Sequence, residues 1–255
     1  PEELKEGFTM GGTIAVGSFF VDDTLDGETS HYEYPRRDID FMVGSARKVL
    51  ASGSAGRRGN ERWVVEGLLS HWAALTGTRA LVFGSMEPWY EAMLLAAGAA
   101  SVTTVEYNRR TYEHPDIKVV QPSRLVDVTP PGGFDIALAI SSFDHDGLGR
   151  FGDPLEPDND LRAMRIASCL LKHNGLLFLT LPIGPDAIVW NLHRRYGMAR
   201  LPWMLEPFEV VSTAGWDPTR LEDEADWRRS YEPLFVLRPT RHEGHTSTGV
   251  NQTEL

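Results

Sequence analysis

The chain has little of three things that would each have set its chemistry. Cysteine occurs once in 255 residues, as Cys169, which excludes an internal disulfide and any zinc site built on several thiolates. No stretch approaches the ~18 consecutive apolar residues that a membrane-spanning helix requires. The longest, residues 92–97 and 176–181, have the length of a strand or a short helix. Basic residues are outnumbered, 25 against 36 acidic, for a formal net charge of −11. A surface of that sign repels phosphate backbones, so no nucleic-acid partner is expected and a small molecule is the expected ligand. Arg194, Arg195 and Arg200 read as salt-bridging residues on a helix rather than as a basic patch. Residues 1–10 are acidic and lack the apolar segment of a secretory signal, so a cytoplasmic, reducing location is expected.

What is present is ordinary core material. With 42% hydrophobic and 10% aromatic residues, disorder as the main state is excluded, and one large core or two small ones can form. Residues 13–21 form a short apolar run, read as an added strand or a packed arm. Ile39, Met42, Val43, Ala46, Val49 and Leu50 recur at helical spacing, with Asp38 as the expected N-cap. A glycine-, serine- and arginine-rich loop over 52–60 follows. A second helix then carries Val64, Leu68, Trp72 and Leu75 on one face and ends near Gly77.

From residue 79 the rhythm changes to alternating strands and helices. Strands are expected at 79–83, 101–106, 117–120, 134–140 and 176–181, and helices at 87–97 and 161–171, the latter stopped by Gly175. Runs that are apolar on both faces imply a parallel sheet covered by helices on both sides. Two late strands, 208–212 and 234–237, precede a polar tail from residue 241. The expected organisation is an N-terminal extension over 1–77 acting as a lid or added layer, an α/β domain over 78–240, and a flexible tail over 241–255. The sequon at Asn251 is read as chance, and a monomer or homodimer is expected.

In an open parallel sheet ligands bind beyond the carboxyl ends of the strands. One stretch arriving there is Val82-Phe83-Gly84-Ser85-Met86-Glu87-Pro88-Trp89, a strand–turn–helix junction in which Gly84 permits a tight bend. Another is Glu106-Tyr107, an acidic residue ending the next strand and placed to accept both hydroxyls of a ribose. The junction lacks the glycines of a dinucleotide or phosphate loop, and Pro88 and Trp89 fill the space of a pyrophosphate. That disfavours a nicotinamide-dependent oxidoreductase. A ribose-bearing ligand without phosphates fits better, S-adenosylmethionine being the common one. The third stretch, residues 141–154, is too polar and glycine-rich to be core.

Phe134-Asp135-Ile136 through Asp144-His145, followed by a helix and Leu170-Leu171-Lys172-His173-Asn174-Gly175, resembles the fourth and fifth strand region of class I methyltransferases dependent on S-adenosylmethionine (SAM). Asp144 stands where those enzymes often carry Glu, and His173-Asn174 where they carry Pro-Gly. A closer resemblance is to the family named domain of unknown function 268, itself methyltransferase-like. It is carried by Gly84-Ser85 with Pro88-Trp89, Val102-Thr103-Thr104-Val105-Glu106-Tyr107, the loop from Asp144 to Pro154, and Leu181-Pro182-Ile183-Gly184 with Asn191, His193, Arg194 and Tyr196-Gly197.

The resemblance implies a Rossmann-like fold with a seven-stranded sheet whose last two strands form an antiparallel edge pair. It implies SAM as cofactor and S-adenosylhomocysteine (SAH) as its product. Gly84, Ser85, Met86, Glu87 and Trp89 would surround the methionine part, Glu106 would hold the ribose, Tyr107 would flank the adenine, and Ser141 and Ser142 would line the floor. His145, Asp144 and His193 are the candidate catalytic residues, with His145 as the general base because histidine titrates near neutrality. Its alternative role is to pin the following loop. His193, Asp186, Asn191 and Arg194 are candidates for contact with the methyl acceptor, a small metabolite or sugar-like molecule; ordinary polar positions on a surface helix are the competing reading. The acidic run Asp153 to Asp160 reads as a turn and helix N-terminus, so no metal is expected. The tryptophans read as core or pocket wall. A non-catalytic scaffold retaining the fold is the alternative function.

Overall fold

Strands that are apolar on both faces need cover on both sides, and this chain supplies it with two helical layers. The computed structural model describes residues 2–21, 31–53, 59–125, 129, 131–223 and 230–240. The N-terminal part holds α1 (Glu2–Phe8), β1 (Ala15–Phe19), β2 (Tyr32–Tyr34), α2 (Arg36–Ser52) and α3 (Glu61–Ser70). Then come β3 (Arg79–Phe83), α4 (Trp89–Ala96), β4 (Ser101–Val105), β5 (Arg110–Tyr112), β6 (Ile117–Val120) and β7 (Phe134–Ile140). The remainder is α5 (Asn159–Leu170), β8 (Leu171–Thr180), β9 (Ala187–Asn191), β10 (His193–Arg195), α6 (Leu201–Leu205), β11 (Phe208–Ala214) and β12 (Leu234–Pro239).

Seven strands form the central sheet in the order β11-β12-β8-β7-β3-β4-β6. The five from β6 to β8 run parallel, and β12 and β11 complete the edge antiparallel, as expected. Because side chains alternate along a strand, Ala80, Val82, Ile136, Leu138 and Phe178 join one core with α2, α3 and α4. Leu81, Phe83, Ala137, Ala139 and Leu179 join the other with α5 and α6. The N-terminal helices are therefore a packed layer: Ile39, Ala46, Val64 and Leu68 are fully buried. Gly67 lets α3 lie against the sheet, since a Cβ there would overlap the Leu234 side chain. Strand β1 pairs in parallel with β9 in a separate three-stranded sheet.

Several local expectations change. Pro35, not Asp38, occupies the N-cap position of α2, and Asp38 lies in its first turn. Trp72 is 40% exposed, because α3 ends at Ser70 and a short 3-10 turn rotates the face away. Gly175 does not stop α5; it lies inside β8, where its missing Cβ lets the backbone approach the Asp135 carbonyl. Residues 187–195 are two strands rather than a surface helix, and Arg194 and Arg200 are almost fully buried. The tail over 241–255, residues 54–58 of the expected loop and Trp227 lie outside the described residues. No described helix is long and apolar enough to cross a membrane.

Candidate active site

The chain runs from β3 outward through β4 to β6, then returns to lay β7 and β8 on the other side of β3. That reversal opens a crevice at the carboxyl ends of β3, β4 and β7, the place where such sheets bind ligands. A cavity of about 340 Å³ lies there. All nine positions expected to meet a cofactor, from Gly84 to Ser142, line it.

Its geometry follows from the bend. Gly84 has φ +67°, and a Cβ there would overlap the Ser142 hydroxyl; glycine alone accepts both conditions without strain. The bend delivers the Ser85 amide to Glu106 Oε2 at 2.8 Å, and the Asn108 amide reaches Oε1 at 3.0 Å. Each carboxylate oxygen carries two lone pairs, so one on each oxygen stays uncommitted at the cavity floor. Behind the bend, the Tyr112 hydroxyl donates to the Ser85 carbonyl at 2.9 Å and the Tyr34 hydroxyl to the Met86 carbonyl at 3.3 Å. Glu91 of α4 is fully buried and accepts from Thr104 Oγ1 at 2.8 Å; burial pushes its carboxyl up to about 7. The Trp89 indole donates to Glu61 at 3.3 Å and packs with the α2 and α3 layer, so it does not plug the bend.

The loop after β7 also lines the cavity, but its polar groups are mostly turned on one another. His145 Nδ1 donates to the Leu192 carbonyl at 2.6 Å, and its Nε2 stands 3.4 Å from Asp144 Oδ2. His193 Nδ1 is 4.0 Å from the same oxygen. Asp144 is fully buried, and among the described residues neither of its oxygens has a hydrogen-bond partner. Burial pushes it up to about 7 and pushes His145 and His193 down to about 4, helped by Arg150 at His145 and by His145 at His193.

Asp153 gathers the amides of Gly147, Gly149 and Phe151 at 2.7, 3.0 and 3.1 Å, which pins the loop. Asp160 is buried against Arg200 and accepts the Tyr196 hydroxyl at 3.0 Å; Arg194, then Arg200, holds its carboxyl below the usual range despite burial. Among the described residues, no group of three His, Cys, Asp or Glu is placed to hold a metal.

Three acceptor candidates are spent on structure. Asp186 accepts the amides of Gly197, Ala199 and Arg200 at 2.8, 2.8 and 3.1 Å. Asn191 Oδ1 accepts the Val21 amide at 2.7 Å, tying β9 to the end of the N-terminal strand. Arg194, 1% exposed, donates to the carbonyls of Asp146 and Pro157. None of the three lines the crevice cavity, because the segment after β8 folds back as β9 and β10 over the loop.

The family model described as "Caenorhabditis protein of unknown function, DUF268" matches residues 77–228. The chain belongs to this family. Among curated proteins no relative of this DUF268 member matches in sequence. One solved structure similar to it is the 1,6-didemethyltoxoflavin-N1-methyltransferase of Burkholderia thailandensis, with bound 1,6-didemethyltoxoflavin and S-adenosylhomocysteine. The two are 18% identical over 81% of this chain and 87% of that one, with a TM-score of 0.50. An S-adenosylmethionine dependent methyltransferase from Mesorhizobium loti is 12% identical over 67% of this chain and 97% of that one, with a TM-score of 0.44. The likeness to the first shows the fold: this DUF268 chain has the Rossmann-like architecture of class I SAM-dependent methyltransferases.

The sequence reading missed Asn108, Tyr90 and Asn159, which also line the cavity. Asn108 is buried beside Glu106, to which its backbone amide donates, and its own Oδ1 has no donor among the described residues. Its position two residues after the acidic strand end was the available signal. The arrangement suits a nucleoside: two carboxylate lone pairs to accept from ribose hydroxyls, beside a bend that only glycine allows.

Proposed function

We propose that this protein is a SAM-dependent methyltransferase acting on a small-molecule acceptor. One observation carries the reading: a carboxylate fixed by two backbone amides at the floor of a nucleoside-sized cavity, beside a glycine bend. A fold retained only as a scaffold has no need to keep both. The unit carrying this function is taken as residues 78–240, with the N-terminal helices as its covering layer.

When bound, SAM supplies an electrophilic methyl group on a sulfonium. Glu106 would hold the ribose hydroxyls, Asn108 would keep Glu106 in place through its backbone amide, and the backbone of 84–87 would face the amino-acid part. Methyl transfer is an in-line displacement, so the chain's main contribution is to hold two reactants in line and keep water out. We assign His145 to the cavity wall as a positioning residue rather than to proton transfer. Its Nδ1 proton is committed to Leu192, and its Nε2 stands 3.4 Å from buried Asp144. Cys169 as an exposed free thiol and the acidic surface fit a reducing compartment and a partner other than nucleic acid.

Calorimetry tests the reading. SAM and SAH are expected to bind with measurable heat, and NAD and ATP are not. Binding of NAD in preference to SAH would replace this reading with that of an oxidoreductase.

A further inference from the structure

We propose that a second cavity, adjoining the crevice, is the acceptor's site, that it takes a flat molecule whose nucleophile still carries a hydrogen, N–H or O–H, and that Glu232 receives that proton. The inference rests on the methyltransferase reading and adds to it the class of acceptor and the group that orients it.

This cavity, of about 510 Å³, opens between the N-terminus of α3 and the segment entering β12. Tyr90, Ile140 and Ser141 line both cavities, so the two meet at the carboxyl end of β7. Ser141 has φ +49°, a left-handed conformation that a residue with a side chain adopts under strain. Strain of that kind collects at functional seams.

Glu232 stands at the seam as an oriented, half-buried carboxylate. Its Oε2 accepts from Asn60 Nδ2 at 2.8 Å and its Oε1 accepts from the Ser230 hydroxyl. Both partners are neutral, an amide and a hydroxyl, so they fix its direction without neutralising its charge. Burial, followed by the charge of Asp144, raises its proton affinity above that of an exposed glutamate. It also senses His145 across the seam. A group so placed serves proton transfer to or from a bound molecule.

The walls speak for a flat body. Trp63, Tyr90 and Tyr231 face the cavity, with Trp63 and Tyr231 packed edge to face at 5.7 Å. Arg62 lies 4.4 Å over the Trp63 ring and Arg220 4.7 Å over Tyr231, which holds both rings in place. Aromatic walls favour planar partners. A carboxylate at the reacting end attracts an N–H or O–H donor and repels a nucleophile that is already anionic. In the transfer, the nucleophile's lone pair forms the bond to the methyl carbon. The electron pair of the breaking carbon–sulfur bond stays on the sulfur of the sulfonium donor. The nucleophile's proton passes to a Glu232 oxygen and from there to water.

The test titrates benzylamine and benzoate into wild-type and Glu232→Gln protein, with and without SAH, following the Trp63 indole N–H signal by NMR. Benzylamine is expected to bind the wild type, to bind at least tenfold more weakly to the variant, and to be preferred over benzoate. Equal affinity in the two proteins, no benzylamine binding to the wild type, or a preference for benzoate would overturn the inference. Should Glu232→Gln not fold, the Glu232 carboxyl carbon signal of the wild type decides: it must shift on adding benzylamine, and a stationary signal sinks the idea. SAH calorimetry on the same samples separates the two readings. SAH binding without a role for Glu232 leaves the methyltransferase reading intact, whereas failure of SAH to bind the wild type removes that reading itself.

Discussion

At the bend after β3 and in the loop after β7 the chain uses carboxylates in opposite ways. Glu106 takes one backbone amide on each oxygen and keeps a lone pair of each for whatever enters the cavity. Asp153 in the loop after β7, Asp160 in the first turn of α5 and Asp186 after β8 belong to a stretch far richer in titratable residues, yet each is filled by its own chain: three amides, a tyrosine with an arginine, and three amides again. The second region looks more catalytic on paper and is the more structural of the two. What separates them is the number of partners each carboxylate already has, not the residue types.

That contrast can be broken by experiment. The largest effect is expected at Asp160→Ala, which leaves Arg194 and Arg200 buried beside an empty place. Removing one member of a buried ion pair costs about 3–5 kcal/mol, and urea unfolding should show a loss of that size. Gly84→Ala comes next: it adds about 1–3 kcal/mol of strain and drives a methyl group into Ser142, so SAH affinity should fall more than tenfold in calorimetry. Glu106→Ala should weaken SAH about tenfold, or ~1.4 kcal/mol, with a smaller effect on stability. Unchanged affinity would move the ribose site elsewhere. His145→Ala should leave SAH affinity within about twofold, since a positioning residue in the opposite wall makes no ribose contact.

The smallest effect is a slope. His145 and His193 bind a proton only near 4 when folded, whereas an unfolded histidine binds one near about 6.5. Acidification through that window therefore favours the unfolded chain and lowers stability. Asp144 and Glu91, pushed up to about 7 by burial, run the other way. Unfolded carboxyls ionise near about 4, so for these two stability falls as pH rises from about 4 to 7. The opposed slopes flatten the wild-type profile. Asp144→Asn removes one opponent, and stability should then fall more steeply on acidification than in the wild type. Urea midpoints at about pH 4.5 and about pH 6.5 measure this. An unchanged slope would mean that Asp144 is already ionised in the folded protein.

Strands 79–83, 117–120 and 134–140 were legible to the residue, because doubly apolar runs bounded by turn residues have few other places to go. The crevice was legible too: the residues expected there sit at strand ends, and a parallel sheet gathers those ends by construction. Gly175 misled because a helix stop is a local rule, and the pairing of β8 with β7 overrode it. Asp186, Asn191 and Arg194 were acceptor candidates through the resemblance alone, and the backbone groups they bind come from segments that local sequence does not join to them. Glu232 left no local trace, since its partner Asn60 lies 172 positions away along the chain.

The order of hydrophobic and polar residues by itself decided the layers, the parallel core of the sheet and the crevice, because side-chain periodicity is a property of neighbouring residues. Which carboxylates stay open to a ligand and which are closed off was decided only when distant segments met. A carboxylate's availability depends on the donors that surround it, and those come from anywhere in the chain.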